Sequence, residues 1–414
     1  MSRARVVITG VGAVTPLGLD VPTFWEGLLS SKSGIAKITS LDTTSFEVTF
    51  AGEVKGFNPT NYIEEKEAKR LDRFAQLAIA AASEAVNDSA IDFNECKKDR
   101  CGAIVGSGVG GLNELQDQHT RYLQKGPARL SPFFIPKMMS NAAAGNIAIR
   151  FGLCGPNFAI ASACATSNHS IGMAFRMIQY GDADVMLAGG SEAAITYLGI
   201  NGFACMKALS TRNDAPQKAS RPFDKNRDGF VLGEGAGILV LEKLEHAKSR
   251  NAKIYAEVLG VGMSDDAYHI TAPDPDGSGA ALAISAALKD ANIKPEHVSY
   301  INAHGTSTQL NDKTETLAIK KVFGNYAKKV PISSTKSMIG HLLGAAAAVE
   351  LIAAALSVKN DIIHPTINYE TPDPECDLDY TPNEKRRMPV NVAISNSLGF
   401  GGHNTTVAIG KYHE

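Results

Sequence analysis

An internal duplication constrains the fold of this chain more than any other feature of its sequence. Four landmarks occur twice in the same order, and each is a short run of strand-forming residues that ends at glycines or small polar residues. The paired segments are residues 6–13 and 255–263, 103–108 and 300–306, 157–164 and 330–336, and 183–190 and 391–402. We therefore expect two related halves. The unequal spacing of the pairs indicates a long insertion in the first half.

The landmarks also indicate the fold class. Short β-branched runs alternate with longer helical patterns, which favours an α/β fold with parallel sheets flanked by helices over an all-β fold. The Gly-Val-Gly triplets at residues 10–12 and 260–262 are interpreted as turns that end the first strand of each half. With 414 residues, 44% of them apolar, the chain can bury a large core. The predicted halves are residues 1–252 and 253–414.

Charge and composition exclude several classes of partner. The formal net charge is −2 with both signs interspersed, which predicts no nucleic-acid partner and no binding to an anionic membrane. Because the sequence shows neither a run of 18 apolar residues nor a signal peptide, no membrane span is expected. The scattered cysteines form no CxxC pair, and reduced thiols in a cytoplasmic setting fit them best. A structural role is expected for four of them: Cys96, Cys154, Cys205 and Cys376.

Cys164 is the first candidate for a reactive residue. It stands in the segment ASACATS, before a helical pattern whose apolar positions Ile171, Ala174, Phe175 and Ile178 share one face. A sulfur at a helix N-terminus is favoured as a thiolate by the helix dipole, and the backbone N–H there is available for an oxyanion hole. A buried, inert thiol is the alternative.

Two histidines and a lysine are candidates to act with this thiol. His304 follows a strand pattern in INAHGTST, while Lys336 and His341 lie in STKSMIGHLLGAAAAVE with Glu350 in the helix beyond. Two imidazoles and a cation around a thiol suit acyl transfer followed by stabilisation of an enolate. Zinc is the rival use for a cysteine and two histidines. The three lie far apart in sequence without a short-range ligand pair, so no metal is expected.

The last landmark is the loop NSLGFGGHN, residues 396–404. Its glycines allow backbone N–H groups to approach a ligand, and Phe400 is a candidate for a mobile apolar gate. An ordinary glycine-rich turn is the alternative. Two other glycine-rich stretches, residues 106–111 and 233–237, lack the spacing of nucleotide-binding loops and are interpreted as close-packing turns.

Taken together, these segments resemble the elongating β-ketoacyl-acyl carrier protein synthases of the thiolase-like superfamily. ASACATS, RPFDKNRDGFVLGEGAG, HGTST, STKSMIGHLLGAAAAVE and GFGG occur in this order, and the resemblance covers essentially the whole chain. It implies a five-layered αβαβα sandwich of two related halves, a homodimer, and acyl carrier protein as partner. It implies no cofactor beyond the phosphopantetheine that carries the substrate. The implied reaction is decarboxylative condensation of an acyl group with malonyl-acyl carrier protein in fatty acid elongation.

The resemblance also implies catalytic roles. Cys164 matches the nucleophile that receives the acyl group. His304 and His341 match the pair that holds the malonyl thioester carbonyl and stabilises the enolate. Lys336, paired with Glu350, matches the lysine that tunes the histidines electrostatically.

The loop and the cavity entrance carry further implied roles. Phe400 matches the gate, and its backbone N–H would form the oxyanion hole with that of the nucleophile. Thr306 and Thr308 match threonines that bind the phosphopantetheine arm. The loop departs from many relatives at Leu398, where phenylalanine is common, and His403 stands at a variable position. Gating and acyl-chain preference are therefore open.

An acidic carrier protein predicts basic docking residues on this chain. The candidates are Lys66, Lys69, Arg70, Lys207 and Arg212. Taken singly, each is better explained as a solvated surface charge.

Several alternatives stay open. Three interpretations of the insertion at residues 109–140 are possible: it lines an acyl tunnel, forms a dimer contact or belongs to the core. The residues concerned are Val109, Phe133, Phe134 and Met138. A degradative thiolase would need a second cysteine in the final loop, and an initiating synthase would use Cys-His-Asn, so neither fits. The same chemistry in a specialised lipid or polyketide pathway is one alternative function. A non-catalytic subunit that binds carrier protein is the other.

Overall fold

The structure is a computed structural model that describes residues 3–413. Among these residues the α-helices are α1 (Val21–Leu29), α2 (Glu65–Ala68), α3 (Arg73–Ser89), α4 (Leu112–Lys125), α5 (Phe134–Met138), α6 (Ala142–Phe151), α7 (Thr166–Tyr180), α8 (Tyr197–Cys205), α9 (Leu244–Ser249), α10 (Ser278–Asp290), α11 (Gln309–Phe323), α12 (Lys336–Ile339) and α13 (Ala346–Asn360). The strands are β1 (Val6–Val14), β2 (Ala36–Lys37), β3 (Phe50–Ala51), β4 (Cys101–Gly106), β5 (Asn157–Phe158), β6 (Val185–Glu192), β7 (Gly235–Lys243), β8 (Ala256–Asp265), β9 (Tyr300–Asn302), β10 (Ile332–Ser333), β11 (Ile362–Ile363), β12 (Arg386–Arg387), β13 (Val392–Gly399) and β14 (His403–Gly410).

The large sheet repeats one strand order twice. The first half contributes β5-β4-β6-β7-β1 and the second half β10-β9-β13-β14-β8. Numbered within its own half, each order reads 3-2-4-5-1, and the strand directions match as well. The two halves meet where residues 6–8 of β1 pair with residues 256–258 of β8. The predicted duplication is therefore confirmed.

The expectation of parallel sheets is only partly correct. Three strands of each half are parallel, namely β5, β4 and β6 in the first and β10, β9 and β13 in the second. The remaining pairs, β6–β7 and β7–β1 in the first half and β13–β14 and β14–β8 in the second, are antiparallel. The β13–β14 connection is a tight hairpin, and a connection of that length can only join antiparallel strands. The sheet is therefore mixed.

Helices α7 and α13 form the middle layer between the two halves of the sheet. The apolar positions predicted to share one face of α7 are all buried, and α13 is buried from Ala346 to Val358. Helix α3 packs on the outer face of the first half, and α10 and α11 cover the second. The result is the expected sandwich of five layers.

The Gly-Val-Gly triplets are not turns, contrary to the interpretation from sequence. They lie inside β1 and β8, directly under a helix. A Cβ on Gly12 would overlap the backbone of α3 at Ala81, and one on Gly262 would overlap α10 at Ala283. Glycine is required there because the helix backbone touches the strand.

Within residues 3–413, one helical stretch, Leu343–Asn360, is long and apolar enough in composition to cross a membrane. It is 89% buried inside the fold, as a core helix is. The sequence criterion passed over it because Glu350, Ser357 and Lys359 interrupt the apolar run.

The parallel strands direct the candidate residues to one place. Cys164 follows β5, His304 follows β9, Lys336 follows β10 and Phe400 follows β13. Reactive residues in such sheets lie past the carboxyl ends of the strands. The first half supplies the thiol and the second half the remaining groups.

Candidate active site

A cavity of about 420 Å³ opens where the strand ends of the two halves meet. Its walls include Cys164, His304, His341 and Phe400, so folding brings together most of the residues that the sequence predicted. Other predicted residues that line it are Thr306, Thr308, Lys207, Val109 and Leu398.

Cys164 lies in a short 3-10 turn, Ala163–Ala165, directly before α7. Its position at a helix start is as predicted, and the side chain is only 8% exposed. The hydroxyl of Ser397 donates a hydrogen bond of 2.8 Å to the carbonyl oxygen of Cys164. This bond fastens the cysteine turn to β13 and therefore to the loop that carries Phe400.

The predicted resting thiolate at Cys164 is wrong. Burial raises the pKa of the Cys164 thiol to about 11, although the Lys336 cation and the Phe400 backbone N–H, which donates to the sulfur, both act to lower it. Removing the sulfur from water costs more than the local dipoles and the cation return. The thiol is therefore protonated at neutral pH.

The hydrogen bonds of His341 determine which of its ring nitrogens carries the proton. Its Nε2 lies 3.0 Å from the Cys164 sulfur, and its Nδ1 accepts a hydrogen bond of 3.2 Å from the backbone N–H of Leu343. Burial and the Lys336 cation hold the pKa of His341 well below its usual range, so the ring is neutral. A neutral imidazole has one proton, which must then be on Nε2. His341 presents a hydrogen-bond donor to the reaction site.

His304 stands beside His341 with the ring planes nearly perpendicular and the ring centres 5.3 Å apart. Burial, Lys336 and His341 hold its pKa well below the usual range, so this ring is also neutral. The backbone N–H groups of His304 and Gly305 each donate a 2.8 Å hydrogen bond to the carboxyl group of Glu315. Glu315 holds the turn in place and was missed by sequence reasoning, since it lies on α11 beyond the motif.

Lys336 and Glu350 form the predicted pair, fully buried below the two histidines. Glu350 also accepts a 3.2 Å hydrogen bond from the hydroxyl of Thr335. Burial raises the pKa of Glu350, while the lysine opposes that rise. The charge of Lys336 lowers the pKa of both histidines, which keeps the rings uncharged.

The sequence argument against a metal is wrong in its geometry. The Cys164 sulfur and one ring nitrogen each of His304 and His341 lie within 4.8 Å of one another, because the fold joins the two halves at this point. Two features oppose a cation there, namely the adjacent Lys336 and the proton on His341 Nε2. That no metal is used stays a prediction.

The threonines and the glycine loop frame the entrance. The hydroxyl oxygens of Thr306 and Thr308 are 3.0 Å apart, and Thr308 also caps the start of α11. Gly401 and Gly402 have φ angles of +88° and +82°, the left-handed region that favours glycine, so the hairpin turns tightly after Phe400.

The two loop departures have different surroundings. Leu398 lines the cavity and packs, partly buried, against the core of the second half. His403 lies with its ring against Gly401 and its Nδ1 3.4 Å from a carboxylate oxygen of Asp265.

Two of the predicted docking residues lie near the cavity entrance. Lys207 lines the cavity and pairs with Glu47 at 3.0 Å. Arg212 donates a 2.7 Å hydrogen bond to the carbonyl oxygen of Asn226 and lies 3.7 Å from Asp228.

The other three docking candidates surround a separate, shallow cleft. Lys66, Lys69 and Arg70 lie there with Phe133, and the Arg70 guanidinium is 4.8 Å from the centre of the Phe133 ring. Lys69 also pairs with Glu65 at 2.7 Å. The insertion residues Phe134 and Met138 are half-buried on α5, so their function is open.

Glu192 is a further residue that sequence reasoning missed. It ends β6, is fully buried, and accepts four hydrogen bonds of 2.7–3.2 Å from the Ser107 hydroxyl and the backbone N–H groups of Gly108, Val109 and Gly344. The carboxyl group thereby joins the cavity wall to the turn before α13. The available signal was a single carboxylate at the end of the apolar segment VMLAGGSE.

Comparisons with known proteins agree with this geometry. The family model for the β-ketoacyl synthase N-terminal domain matches residues 3–247, and that for the C-terminal domain matches residues 255–370. The chain is 54% identical over 412 residues to 3-oxoacyl-[acyl-carrier-protein] synthase 2 of Synechocystis sp., covering 100% of this chain and 99% of that protein. It is 53% identical over 408 residues to the synthase 2 of Staphylococcus aureus strain COL, covering 99% and 98%.

Solved structures resemble the chain over its full length. A type II polyketide acyl-carrier protein in complex with its ketosynthase, bound to a hexaketide, has a TM-score of 0.93 at 37% identity and covers 99% of this chain and 100% of that one. A β-ketoacyl synthase from Burkholderia phymatum has a TM-score of 0.92 at 35% identity with the same coverage.

Proposed function

This chain belongs to the β-ketoacyl synthase family, and from that premise we propose that Cys164 carries the acyl group of a decarboxylative Claisen condensation. The enzyme is an acyltransferase of the 3-oxoacyl-[acyl-carrier-protein] synthase type, and it condenses an acyl group with malonyl-acyl carrier protein in fatty acid elongation. The observation that carries the residue roles is the 3.0 Å approach of His341 Nε2 to the Cys164 sulfur.

The first half-reaction is transfer of the acyl group. The Cys164 sulfur attacks the carbonyl carbon of the acyl thioester and forms a new C–S bond. The bond from that carbon to the phosphopantetheine sulfur breaks, and the departing sulfur takes the proton that Cys164 has lost. The backbone N–H groups of Cys164 and Phe400 stabilise the oxyanion, and the N–H of Phe400 already points at the sulfur.

The second half-reaction forms the carbon–carbon bond. Malonyl-acyl carrier protein loses carbon dioxide, and the negative charge develops on its thioester oxygen. His341 and His304 donate hydrogen bonds to that oxygen, which suits two neutral rings and, for His341, the proton on Nε2. The enolate carbon then attacks the acyl group on Cys164, and the C–S bond breaks to give 3-oxoacyl-acyl carrier protein.

Neutral histidines are consistent with the place of Lys336. A charged imidazolium could instead transfer its proton to the enolate and remove the nucleophile before the carbon–carbon bond forms. Burial and the Lys336 cation together keep both rings neutral, and Glu350 pairs with the lysine. In this proposal Thr306 and Thr308, which line the cavity, bind the phosphopantetheine arm.

The assembly is part of the proposal. The enzyme works as a homodimer in the cytoplasm, without a cofactor beyond the carrier-bound phosphopantetheine, and its halves 1–252 and 253–414 share one active site. Exposed apolar side chains on α4 to α6 support a dimer contact, namely Leu123, Ile135 and Ile149. The solved ketosynthase in complex with an acyl carrier protein supports that partner.

Two alternatives are less well supported. The 53–54% identity to 3-oxoacyl-acyl carrier protein synthases exceeds the 37% identity to the polyketide ketosynthase, which favours fatty acid elongation over a polyketide pathway. The presence of Cys164 inside a complete site opposes a non-catalytic subunit.

The decisive experiment detects the acyl-enzyme. Incubation with acyl-acyl carrier protein should add one acyl mass to the intact protein, on the peptide that contains Cys164. The variant Cys164→Ala should gain no mass and lose condensation by more than about 10⁴-fold, while Cys376→Ala serves as a control for loss of a buried thiol. An active protein with an unmodified Cys164 would refute the proposal.

A further inference from the structure

A second cysteine–histidine pair lies at the opposite end of β4 from the active site. The Cys96 sulfur is 3.9 Å from Nε2 of His246 on α9, and His246 Nδ1 is 2.7 Å from a carboxylate oxygen of Glu242. Strand β4 runs from Cys101 at this end to Gly106 at the active-site end. Six residues of strand separate the two sites by roughly 20 Å.

Glu242 determines the proton position on His246. Glu242 is the buried, penultimate residue of β7, and its carboxyl group also accepts hydrogen bonds from Arg250 and Thr9. Burial would raise its pKa, but the hydrogen bonds from His246, Arg250 and Thr9 outweigh burial and bring the pKa to about 2. An ionised carboxylate only accepts hydrogen bonds, so Nδ1 of His246 carries the proton. In the neutral ring Nε2 then has a free lone pair 3.9 Å from the Cys96 sulfur, and the carbonyl oxygen of Asp92, at 3.4 Å, is a second acceptor for the thiol.

Cys101 is the second thiol of this cluster. Cys101 is buried, and the half-buried Cys96 packs against the apolar cluster that contains it. Burial raises the pKa of Cys96, while the Cys101 thiol and the Arg250 cation act in the opposite direction. Because burial and the nearby Glu242 carboxylate raise the pKa of Cys96 on balance, the Cys96 thiol keeps its proton unless a base removes it.

We propose that Cys96 is a peroxide-reactive thiol, with His246 as its base and Cys101 as its resolving thiol. His246 Nε2 takes the Cys96 proton, and the sulfur attacks the distal oxygen of a hydroperoxide. The O–O bond breaks, and the leaving alkoxide or hydroxide takes the proton back from His246. The sulfenic acid formed at Cys96 is then attacked by Cys101, which releases water and leaves a disulfide. One hydroperoxide thus oxidises two thiols.

The chain offers its own matched controls. Cys154 and Cys205 are exposed thiols, and neither has a histidine nitrogen as hydrogen-bond partner in the part of the chain that the structure describes. Exposure alone would make them react faster than the half-buried Cys96. Faster oxidation of Cys96 would therefore be an effect of His246 and not of solvent exposure.

The experiment measures oxidation at each cysteine separately. The full-length protein is treated with limiting hydrogen peroxide, free thiols are blocked with N-ethylmaleimide, and the peptides are quantified by mass spectrometry. Cys96 and Cys101 should lose their free thiols together as one linked peptide, before Cys154 and Cys205. The variant His246→Gln should slow this loss at least about tenfold. The variant Cys101→Ser should stop at a sulfenic acid that dimedone traps.

Two results would overturn the proposal. One is oxidation of Cys96 no faster than that of Cys154 and Cys205 in the wild-type protein, a comparison that needs no variant to fold. The other is an unchanged Cys96 rate in a His246→Gln protein that retains condensation activity. Because each cysteine is read separately, an inert Cys164 would refute the proposed function without affecting this result.

Discussion

The Cys164–His341 and Cys96–His246 pairs place the same two side chains together with the imidazole in opposite tautomers. At the first, Leu343 donates its backbone N–H to Nδ1, and Nε2 presents a proton to the sulfur. At the second, Glu242 accepts from Nδ1, and Nε2 presents a lone pair. The atom on the far side of the ring therefore decides whether the histidine donates or accepts.

The difference separates two kinds of thiol chemistry. A donor stabilises negative charge on a substrate oxygen, which an enolate requires. An acceptor removes a proton from the thiol itself, which attack on a peroxide requires. The distance between sulfur and nitrogen alone, 3.0 Å against 3.9 Å, would rank the two sites without distinguishing them.

Glutamine replacements test the tautomers with the largest expected effect. Glutamine retains an N–H donor near the position of Nε2 but provides no base. His341→Ala should lose condensation by roughly 10²–10³-fold, and His341→Gln should retain at least about tenfold more activity than the alanine variant. At the other site, His246→Gln and His246→Ala should slow Cys96 oxidation equally.

Steady-state condensation rates and site-resolved oxidation rates measure these four variants. Equal activity of the two His341 variants would mean that its role is not hydrogen-bond donation. Faster oxidation in His246→Gln than in His246→Ala would mean that the ring acts at Cys96 by packing or by donation.

The variant Glu242→Gln tests the Cys96–His246 site through the pH dependence of the unfolding free energy. The pKa of Glu242 falls from 4.5 to about 2 on folding, which corresponds to about 3 kcal/mol of unfolding free energy. A lowered folded pKa stabilises the protein fully above pH 4.5, and this stabilisation is lost as the pH falls towards 2. Urea denaturation should therefore show the variant about 3 kcal/mol less stable at pH 7, with a clearly smaller difference at pH 3.

Glu245→Gln is the matched control for that measurement. Glu245 lies on the same helix as His246 and is exposed, so its loss should change the unfolding free energy by less than about 0.5 kcal/mol. A pH-independent difference for Glu242→Gln would show that packing and not ionisation accounts for its effect.

Charge reversal at the shallow cleft should give the smallest effect. Lys66→Glu with Lys69→Glu should raise the Michaelis constant for acyl carrier protein about three- to tenfold, more at low salt, because exposed charges contribute little each. The rate of Cys96 oxidation should not change, since a peroxide is small and uncharged. Lys329→Glu, which lines neither cavity nor cleft, is the control. An unchanged Michaelis constant and salt dependence would exclude this patch.

The fold could be predicted from sequence wherever a strand can be recognised from its own residues. Four strands of each half lie in short apolar segments that end at glycines or small polar residues, and the repeat identified all four pairs. The fifth pair, β7 and β14, was missed. Strand β7 begins inside the glycine-rich segment that was interpreted as a turn, and glycine hides the strand pattern.

The sequence predicted which residues meet at the site, but not the protonation states of their side chains. Because Cys164, His304 and Lys336 each follow a predicted strand, the sequence alone indicated that they lie close together. The tautomer of His341 depends on the backbone N–H of Leu343, and the pKa of the Cys164 thiol depends on its burial. A sequence motif shows neither. Cys96 and His246 are 150 residues apart, so Cys96 was assigned a structural role. Such a pair becomes visible only when the chain is folded.

The strand order has a consequence for how this chain acquires its structure. Strand β1 pairs only with β7 and β8 among the described strands, and residues 15–234 separate it from β7. At about 5–20 residues per second, synthesis of that interval takes roughly 10 to 45 s. Throughout that time β1 has unpaired edges, in a segment rich in valine. The nascent chain therefore depends on protection of this strand, and mutations that slow completion of β7 should increase aggregation before they affect catalysis.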